Sequence, residues 1–293
     1  MNELFAIEPT AFVDHRDLKF LLARFGFSEG RFVAEYPKRW VRLVFDHLST
    51  LPDVERSRAV ALLQKYKEDR LLPSGSPYLQ EMSWIENAQA TKKSGQVADV
   101  IVAREHGGIF PTPDVDIEYF HDRGGRTANV LSIAEEYASA ASILLRLSHE
   151  VAIVDPYIHS RPTKGYQRVI ESMATQAAKG KCRSFIIFSL DDGESFDLTE
   201  VVVRQFFASV CKLGISVKYV VLRDHGDEDA DNHGRFIISA KGAMQFDKGF
   251  EEERTPRRRK VSILDSPMHK HLYSQYLEDQ LPFDVAYSLT MRS

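Results

Sequence analysis

His233 and Arg235 stand two positions apart, directly before the apolar run Phe236-Ile237-Ile238. The apolar run predicts a strand, and side chains two apart on an extended segment point to the same face. An arginine fork binds two phosphate oxygens. A histidine attacks phosphorus or transfers a proton near neutral pH. The pair therefore predicts a phosphate site, with His233 and Arg235 as candidate catalytic residues and Arg235 also as a phosphate ligand.

Two other interpretations of the same pair remain open. In the first, the site binds a phosphate group without cleaving it. In the second, both residues have a structural role: Arg235 pairs with an acidic neighbour such as Asp231 or Asp155, and His233 caps a loop. The residue types alone do not separate these interpretations from catalysis.

Three apolar runs separated by amphipathic helices precede the pair and predict the elements that position it. The runs are Glu150–Asp155, Phe185–Phe188 and Ile215–Val221, and Gly180 and Gly214 end two of the helices. This alternation predicts an α/β domain with a mainly parallel sheet flanked by helices. Such sheets bind ligands beyond the carboxyl ends of their strands. The polar residues at or just past those ends are Asp155, Ser189 and Arg223.

Residues 1–90 predict a mainly helical N-terminal domain. Apolar residues recur at helical spacing over 18–25, 41–48 and 60–66. Residues 91–127 change character, with a predicted strand at Val97–Val102, and predict a β-containing connector. The predicted boundaries are therefore 1–90, 91–127 and 128–293.

The C-terminal half resembles the phospholipase D superfamily. That family carries a His-x-Lys motif on a strand, then an aspartate and a Gly-Ser pair, and its upstream strand often ends in a phrase like Asp-Pro-Tyr. This chain has Asp155-Pro156-Tyr157, His233-Gly234-Arg235 and a later run, Gly242–Phe250, that resembles the hairpin after the motif. The domain is similar to the lone phospholipase D-like domain at the C-terminus of MIT-domain proteins, and the resemblance covers about half of the chain.

The resemblance implies a metal-independent phosphodiesterase or nuclease whose histidine is the nucleophile. Active members bring two motif histidines together, so the single motif implies a homodimer with His233 from both subunits. Nucleic acid is the implied ligand, and lone bacterial domains of this type imply an antiviral or mobile-element context. Other protein subunits could bind through the N-terminal domain.

Three departures from the family pattern bear on catalysis. Arg235 stands where active members have lysine, Ala240 stands where their aspartate falls, and Asp247 or Lys248 occupies the Gly-Ser position. These departures put cleavage in doubt and support an alternative. In that alternative the chain is a catalytically degenerate adaptor that binds a protein partner or an anionic membrane lipid, as the MIT-protein relatives do.

A run of acidic residues and then basic ones follows the motif. Glu251–Glu253 precede Arg257, Arg258, Arg259 and Lys260. Adjacent cations can contact a nucleic-acid backbone, so Lys248, Arg257 and Arg258 are further candidate phosphate-binding residues. The alternative is a solvated hairpin whose acidic and basic arms pair with each other.

Two further clusters favour structural roles. Asp265, His269 and His271 invite a metal site, but no second cluster completes a ligand shell. We therefore expect no metal, and nothing indicates a cofactor. In the N-terminal part, cations interleave with aromatic residues, a pattern that suits either single-stranded nucleic acid or a helical core. The residues are Arg24, Arg31, Lys38 and Arg39 among Phe25, Phe27, Phe32, Tyr36 and Trp40.

Composition sets the remaining limits. The 293 residues suit two domains, and 43% hydrophobic residues allow a sizeable core. The net charge of −4 indicates that any polyanion site is a local patch. Cys182 and Cys211 provide no disulfide framework and are expected to be reduced. No apolar run predicts a signal peptide or a membrane span, so we expect a cytoplasmic protein.

Overall fold

Each half of the chain contributes one β-sheet to the structure, which is a computed structural model. The chain divides into two units, Met1–Arg126 and Thr127–Ser293. The residues that the structure describes are 3–12, 14–74, 76–93, 100–103, 127–158, 163–191, 200–223, 234–278, 280–281 and 283–292.

The first unit contains a parallel sheet. Its strands are β1 (Glu3–Ile7), β2 (Arg31–Glu35), β3 (Leu71–Pro73) and β4 (Val100–Val102), in the order β3-β2-β1-β4. The helices are α1 (His15–Leu22), α2 (Trp40–Leu48), α3 (Asp53–Arg70) and α4 (Trp84–Lys93), with a 3-10 turn at Phe27–Glu29. The three predicted helices are therefore confirmed, but the prediction of a mainly helical domain missed the sheet on which they pack.

Part of the predicted connector belongs to this sheet, because β4 pairs with β1. The rest of residues 91–127 lies largely outside the described residues. A separate connector therefore stays a prediction.

Several aromatic residues belong to the core of the first unit. Phe25, Phe32, Tyr36 and Trp40 are at most 1% exposed. Because buried rings cannot stack on bases, the core interpretation is confirmed and the single-strand interpretation of this cluster is wrong.

The second unit contains a mixed sheet of eight strands in the described residues. The strands are β5 (Thr127–Leu131), β6 (Glu150–Val154), β7 (Ser184–Leu190), β8 (Ser216–Arg223), β9 (Phe236–Ser239), β10 (Gly242–Phe246), β11 (Arg258–Ile263) and β12 (Asp284–Met291). Their order is β12-β8-β7-β6-β9-β10-β11-β5. Among the described neighbouring strands of this sheet, only β6 with β7 and β7 with β8 pair in parallel.

Helices cover the two faces of this sheet unequally. The helices are α5 (Ala134–Leu147), α6 (Lys164–Ala178), α7 (Glu200–Lys212) and α8 (Ser266–Leu277). Tyr137 of α5 packs on Phe246 and Phe207 of α7 packs on Tyr219. Tyr276 of α8 packs on Phe188, which belongs to the opposite face. We call the α5 side the inner face and the α8 side the outer face.

The predicted α/β class is confirmed, and the predicted strands correspond to β6, β7 and β8. The expectation of a mainly parallel sheet holds only for those three strands. The connection between β9 and β10 is two residues long, Ala240 and Lys241, and so short a connection forces an antiparallel pair. β9 and β10 therefore form a hairpin, and the predicted hairpin run Gly242–Phe250 forms its second strand and the loop that follows. None of the described helices is both long and apolar enough to cross a membrane.

Candidate functional site

Asp155 and Arg235 lie across from each other where β6 ends and β9 begins. The two strands are antiparallel, with Val154 opposite Phe236, so the next position places Asp155 opposite Arg235. β6 ends here because Asp155-Pro156-Tyr157 turns away from the sheet. The candidate site therefore lies at the carboxyl end of β6, as parallel α/β sheets favour.

Asp155 accepts hydrogen bonds from two backbone segments at this edge of the sheet. Its side chain is fully buried. Oδ1 accepts a hydrogen bond from the Tyr157 amide at 3.0 Å, and Oδ2 accepts one from the Phe250 amide at 2.7 Å. The carboxyl thus fixes both the turn after β6 and the loop after β10.

Burial raises the pKa of Asp155 to about 6, although the two amides and the Arg235 guanidinium oppose the shift. Burial disfavours the charged carboxylate because the interior solvates it poorly. The charge beside Arg235 therefore changes between pH 5 and 7, where most carboxylates are already ionised.

Arg235 is partly exposed, and its guanidinium carbon lies 5.1 Å from the centre of the Tyr157 ring. Its carbonyl oxygen accepts a hydrogen bond from the Phe246 amide at 2.9 Å, which fixes its backbone to β10. Tyr157 is 47% exposed. A cation held against an exposed ring at a sheet edge is placed to meet an anionic ligand from solvent.

Gly249 allows the loop after β10 to approach Asp155. A Cβ atom at this position would lie 2.9 Å from Asp155 Oδ2 and 2.8 Å from the Tyr166 hydroxyl. A side chain would therefore push the loop away. Burial, followed by the nearby carboxyls of Asp155 and Glu251, raises the pKa of Tyr166, so its hydroxyl stays protonated and can donate.

The predicted site residues do not all converge. His233 and Asp231 lie outside the described residues. Lys248 is exposed in the loop that Asp155 holds, next to Gly249. Arg258 pairs with β5 at the start of β11, two strands from β9, and Arg257 precedes it.

Strand alternation places Arg258 on the other side of the sheet from Arg235. Phe246 packs on the inner face, opposite both Arg235 and Val261. Arg258 is three positions from Val261 and therefore points to the outer face. Arg258 cannot bind the same phosphate group as Arg235.

Other predicted groups have structural partners. Arg223 forms an ion pair with Asp191 at 3.4 Å, and the Ser189 hydroxyl donates to the Pro156 carbonyl at 3.0 Å. His269 lies on α8 and contacts the Ser239 carbonyl at 2.8 Å. In a helix, residues two apart do not face each other, so His269 and His271 do not converge on one metal ion. Among the described residues, no group of three or more metal-binding side chains occurs.

The described residues also form a small apolar pocket under α8. Its lining is Val154, Pro156, Phe188, Ser189, Leu190, Leu222, Tyr276 and Phe283. This pocket lies on the outer face, away from Arg235, and its lining does not suit a phosphate group.

The sequence did not predict the residues that surround Asp155 but lie far from it along the chain. Tyr166, Gly249 and the Phe250 amide meet Asp155 only in the folded chain. The phrase Asp-Pro-Tyr marked Asp155 but gave no sign of these partners. The arrangement can bind an anion at Arg235, and the Tyr166 hydroxyl can donate a hydrogen bond.

No protein-family model matches the chain, and no curated protein matches it significantly. One similar solved structure is Nuc, a phospholipase D family member from Salmonella typhimurium. It has 8% identity, a TM-score of 0.33, and coverage of 57% of this chain and 98% of Nuc.

A second similar structure is TrmBL2, an archaeal chromatin protein described with a novel mode of DNA binding. It has 9% identity, a TM-score of 0.29, and coverage of 84% of this chain and 82% of TrmBL2. At these identities and TM-scores, neither structure indicates a function for this chain.

Proposed function

We propose that the second unit binds the phosphodiester backbone of a nucleic acid at the Arg235 edge of its sheet. The observation that carries the proposal is the position of Arg235. Arg235 is partly exposed, its guanidinium lies beside the exposed Tyr157 ring, and its backbone carbonyl is fixed to β10 by the Phe246 amide. Arginine in a fixed setting gives bidentate phosphate recognition, which a flexible surface cation does not.

Lys248 and His233 complete the proposed site. Lys248 is exposed beside the anchored Gly249 and adds a second cation. His233 precedes Arg235 by two positions, so an extended backbone would direct both side chains to one face. The phospholipase D resemblance assigns His233 the role of nucleophile. Its ring nitrogen would form a bond to phosphorus while the bond to the leaving oxygen breaks, and water would later hydrolyse the phosphohistidine.

The catalytic form of this site predicts a homodimer. One motif supplies one histidine, and the resembling enzymes use two. We expect sedimentation at micromolar concentration to give a dimer whose contact lies in residues 127–293. A monomer under all conditions would remove the two-histidine mechanism and leave phosphate binding.

The chemistry predicts that any cleavage by this site is independent of divalent metal, because histidine rather than a metal-bound water attacks phosphorus. Cleavage of an oligonucleotide should persist in excess EDTA and disappear in His233→Ala. Activity that EDTA abolishes, or that survives in His233→Ala, would place the chemistry elsewhere. If binding occurs without cleavage, Ala240 in the family's aspartate position is the first explanation, and the adaptor function follows. The antiviral or mobile-element context and the cytoplasmic location stay predictions.

A further inference from the structure

The acidic residues after β10 are partly buried, whereas most of the basic residues that follow them are exposed. Glu251 accepts a hydrogen bond from the Thr163 hydroxyl at 2.6 Å, and Glu252 forms an ion pair with Arg168 at 2.9 Å. Glu253 forms an ion pair with Arg259. The predicted pairing of the two arms therefore holds for Glu253 with Arg259, whereas Glu251 and Glu252 have partners outside the basic arm.

The remaining cations of this segment are exposed. They are Arg254, Arg257, Arg258 and Lys260. Within the described ranges, none of the four side chains has an ion-pair partner. The exposed acids nearest in sequence are Asp247 and Asp265. The segment is therefore a concentrated positive patch in a chain of net charge −4.

Two of these cations belong to an open sheet surface. Val261 and Ile263 are buried on the inner face, so Arg258, Lys260 and Ser262 point outward. Lys260 pairs with Asn129 and Ser262 with Thr127 on β5, and Gln245 lies beside Ser262 on β10. We call this surface the basic sheet face: Thr127, Asn129, Gln245, Arg258, Lys260 and Ser262. α8 packs over β9 and β10, whereas Thr127, Asn129, Arg258 and Lys260 on β5 and β11 are exposed.

We propose that the basic sheet face binds the backbone of a double-stranded nucleic acid, independently of base sequence. Cations, hydroxyls and amides are the groups that contact phosphate and sugar oxygens. The face carries no aromatic side chain, and single-strand binding relies on aromatic stacking. The large exposed hydrophobic side chains of the described second unit are on other elements, and Leu131, which lies opposite Arg258, is only partly exposed. The face therefore offers little apolar surface for insertion into a membrane.

This inference shares with the proposed function only the class of ligand. Arg235 lies on the inner face at the edge of the sheet, whereas Arg258 and Lys260 lie on the outer face. A short phosphodiester such as a dinucleotide reports on the Arg235 site, whereas the salt dependence of duplex binding reports on the basic sheet face. The two can therefore fail separately.

The test compares the full-length chain with the double variant Arg258→Ala/Lys260→Ala. The probe is a 30-base-pair DNA duplex, titrated at several salt concentrations. Each lost phosphate contact reduces the slope of log affinity against log salt by about 0.9, so we expect a reduction of about 2. At 0.1 M salt the same relation gives a loss of roughly 8-fold per cation, or about 60-fold for both.

Lys179→Ala/Lys181→Ala is the matched control, because it removes two exposed cations from the turn after α6. It should leave the slope unchanged, and circular dichroism should show the same fold for all three proteins. An unchanged slope in Arg258→Ala/Lys260→Ala would overturn the proposal. So would tighter binding of the separated single strand than of the duplex. Loss of binding to phosphatidylserine vesicles, with duplex binding intact, would assign the face to a membrane instead.

Discussion

Arg235→Ala should weaken the binding of a short phosphodiester by about 10- to 150-fold, because hydrogen bonds to charged groups contribute about 1.5–3 kcal/mol. Arg235→Lys should weaken binding by less. Lysine keeps the positive charge but loses the planar fork that meets two phosphate oxygens at once. Fluorescence anisotropy or calorimetry with a dinucleotide measures the three affinities.

Arg204→Ala controls for the loss of an arginine elsewhere in the second unit. Arg204 is exposed on α7 and forms an ion pair with Glu200 at 2.7 Å. It should leave dinucleotide affinity unchanged. Equal affinities for the wild type, Arg235→Ala and Arg235→Lys would show that Arg235 has the structural role that the sequence left open.

The sequence was informative where strands are buried on both sides. β6, β7 and β8 read as apolar runs because helices cover both faces of the sheet there. β12 gave no such signal, because it pairs only with β8 at the sheet edge and most of its side chains are exposed. β1 and β2 were missed because apolar segments of five residues are too short to show a period of their own.

The sequence predicted the residues of the candidate site that belong to local motifs, but not the contacts between distant parts of the chain. Arg235 and Asp155 could be found from motif spacing and strand ends. The bond between Asp155 and the Phe250 amide spans 95 positions, and no local pattern encodes it. The inward turn of Glu251 and Glu252 depends likewise on Thr163 and Arg168. A run of charged residues in the sequence shows which charges are present but not which of them form ion pairs or hydrogen bonds in the folded chain.

Asp155→Asn should alter the pH dependence of the second unit's stability. The pKa of Asp155 rises from its ordinary 3.8 to about 6 on folding. The folded chain therefore binds this proton more tightly than the unfolded chain does. The contribution of the carboxyl to stability is full below about pH 4 and is lost as pH rises through about 6. Asparagine does not titrate and has no such loss.

The free energy of unfolding of the wild type, relative to Asp155→Asn, should therefore fall by roughly 2 kcal/mol between pH 4 and pH 7, since each pKa unit corresponds to about 1.4 kcal/mol and the unfolded carboxyl is already partly ionised at pH 4. Near pH 4 the wild type should be the more stable protein. A protonated carboxyl can turn its single proton away from both amides, whereas the asparagine amide must direct an NH₂ group toward one of them. At pH 7 the cost of burying the charge offsets that advantage.

The measurement has to resolve the second unit, because both tryptophans, Trp40 and Trp84, lie in the first. Amide hydrogen exchange against urea concentration, followed in peptides from residues 127–293, provides that resolution. Asp247→Asn removes an exposed carboxyl from the same loop and should stay within about 0.5 kcal/mol of the wild type at both pH values. If Asp155→Asn follows the wild type across this range, burial does not control the Asp155 carboxyl. The charge beside Arg235 would then be constant, and the pH range in which phosphate binding changes would have to be set by another group.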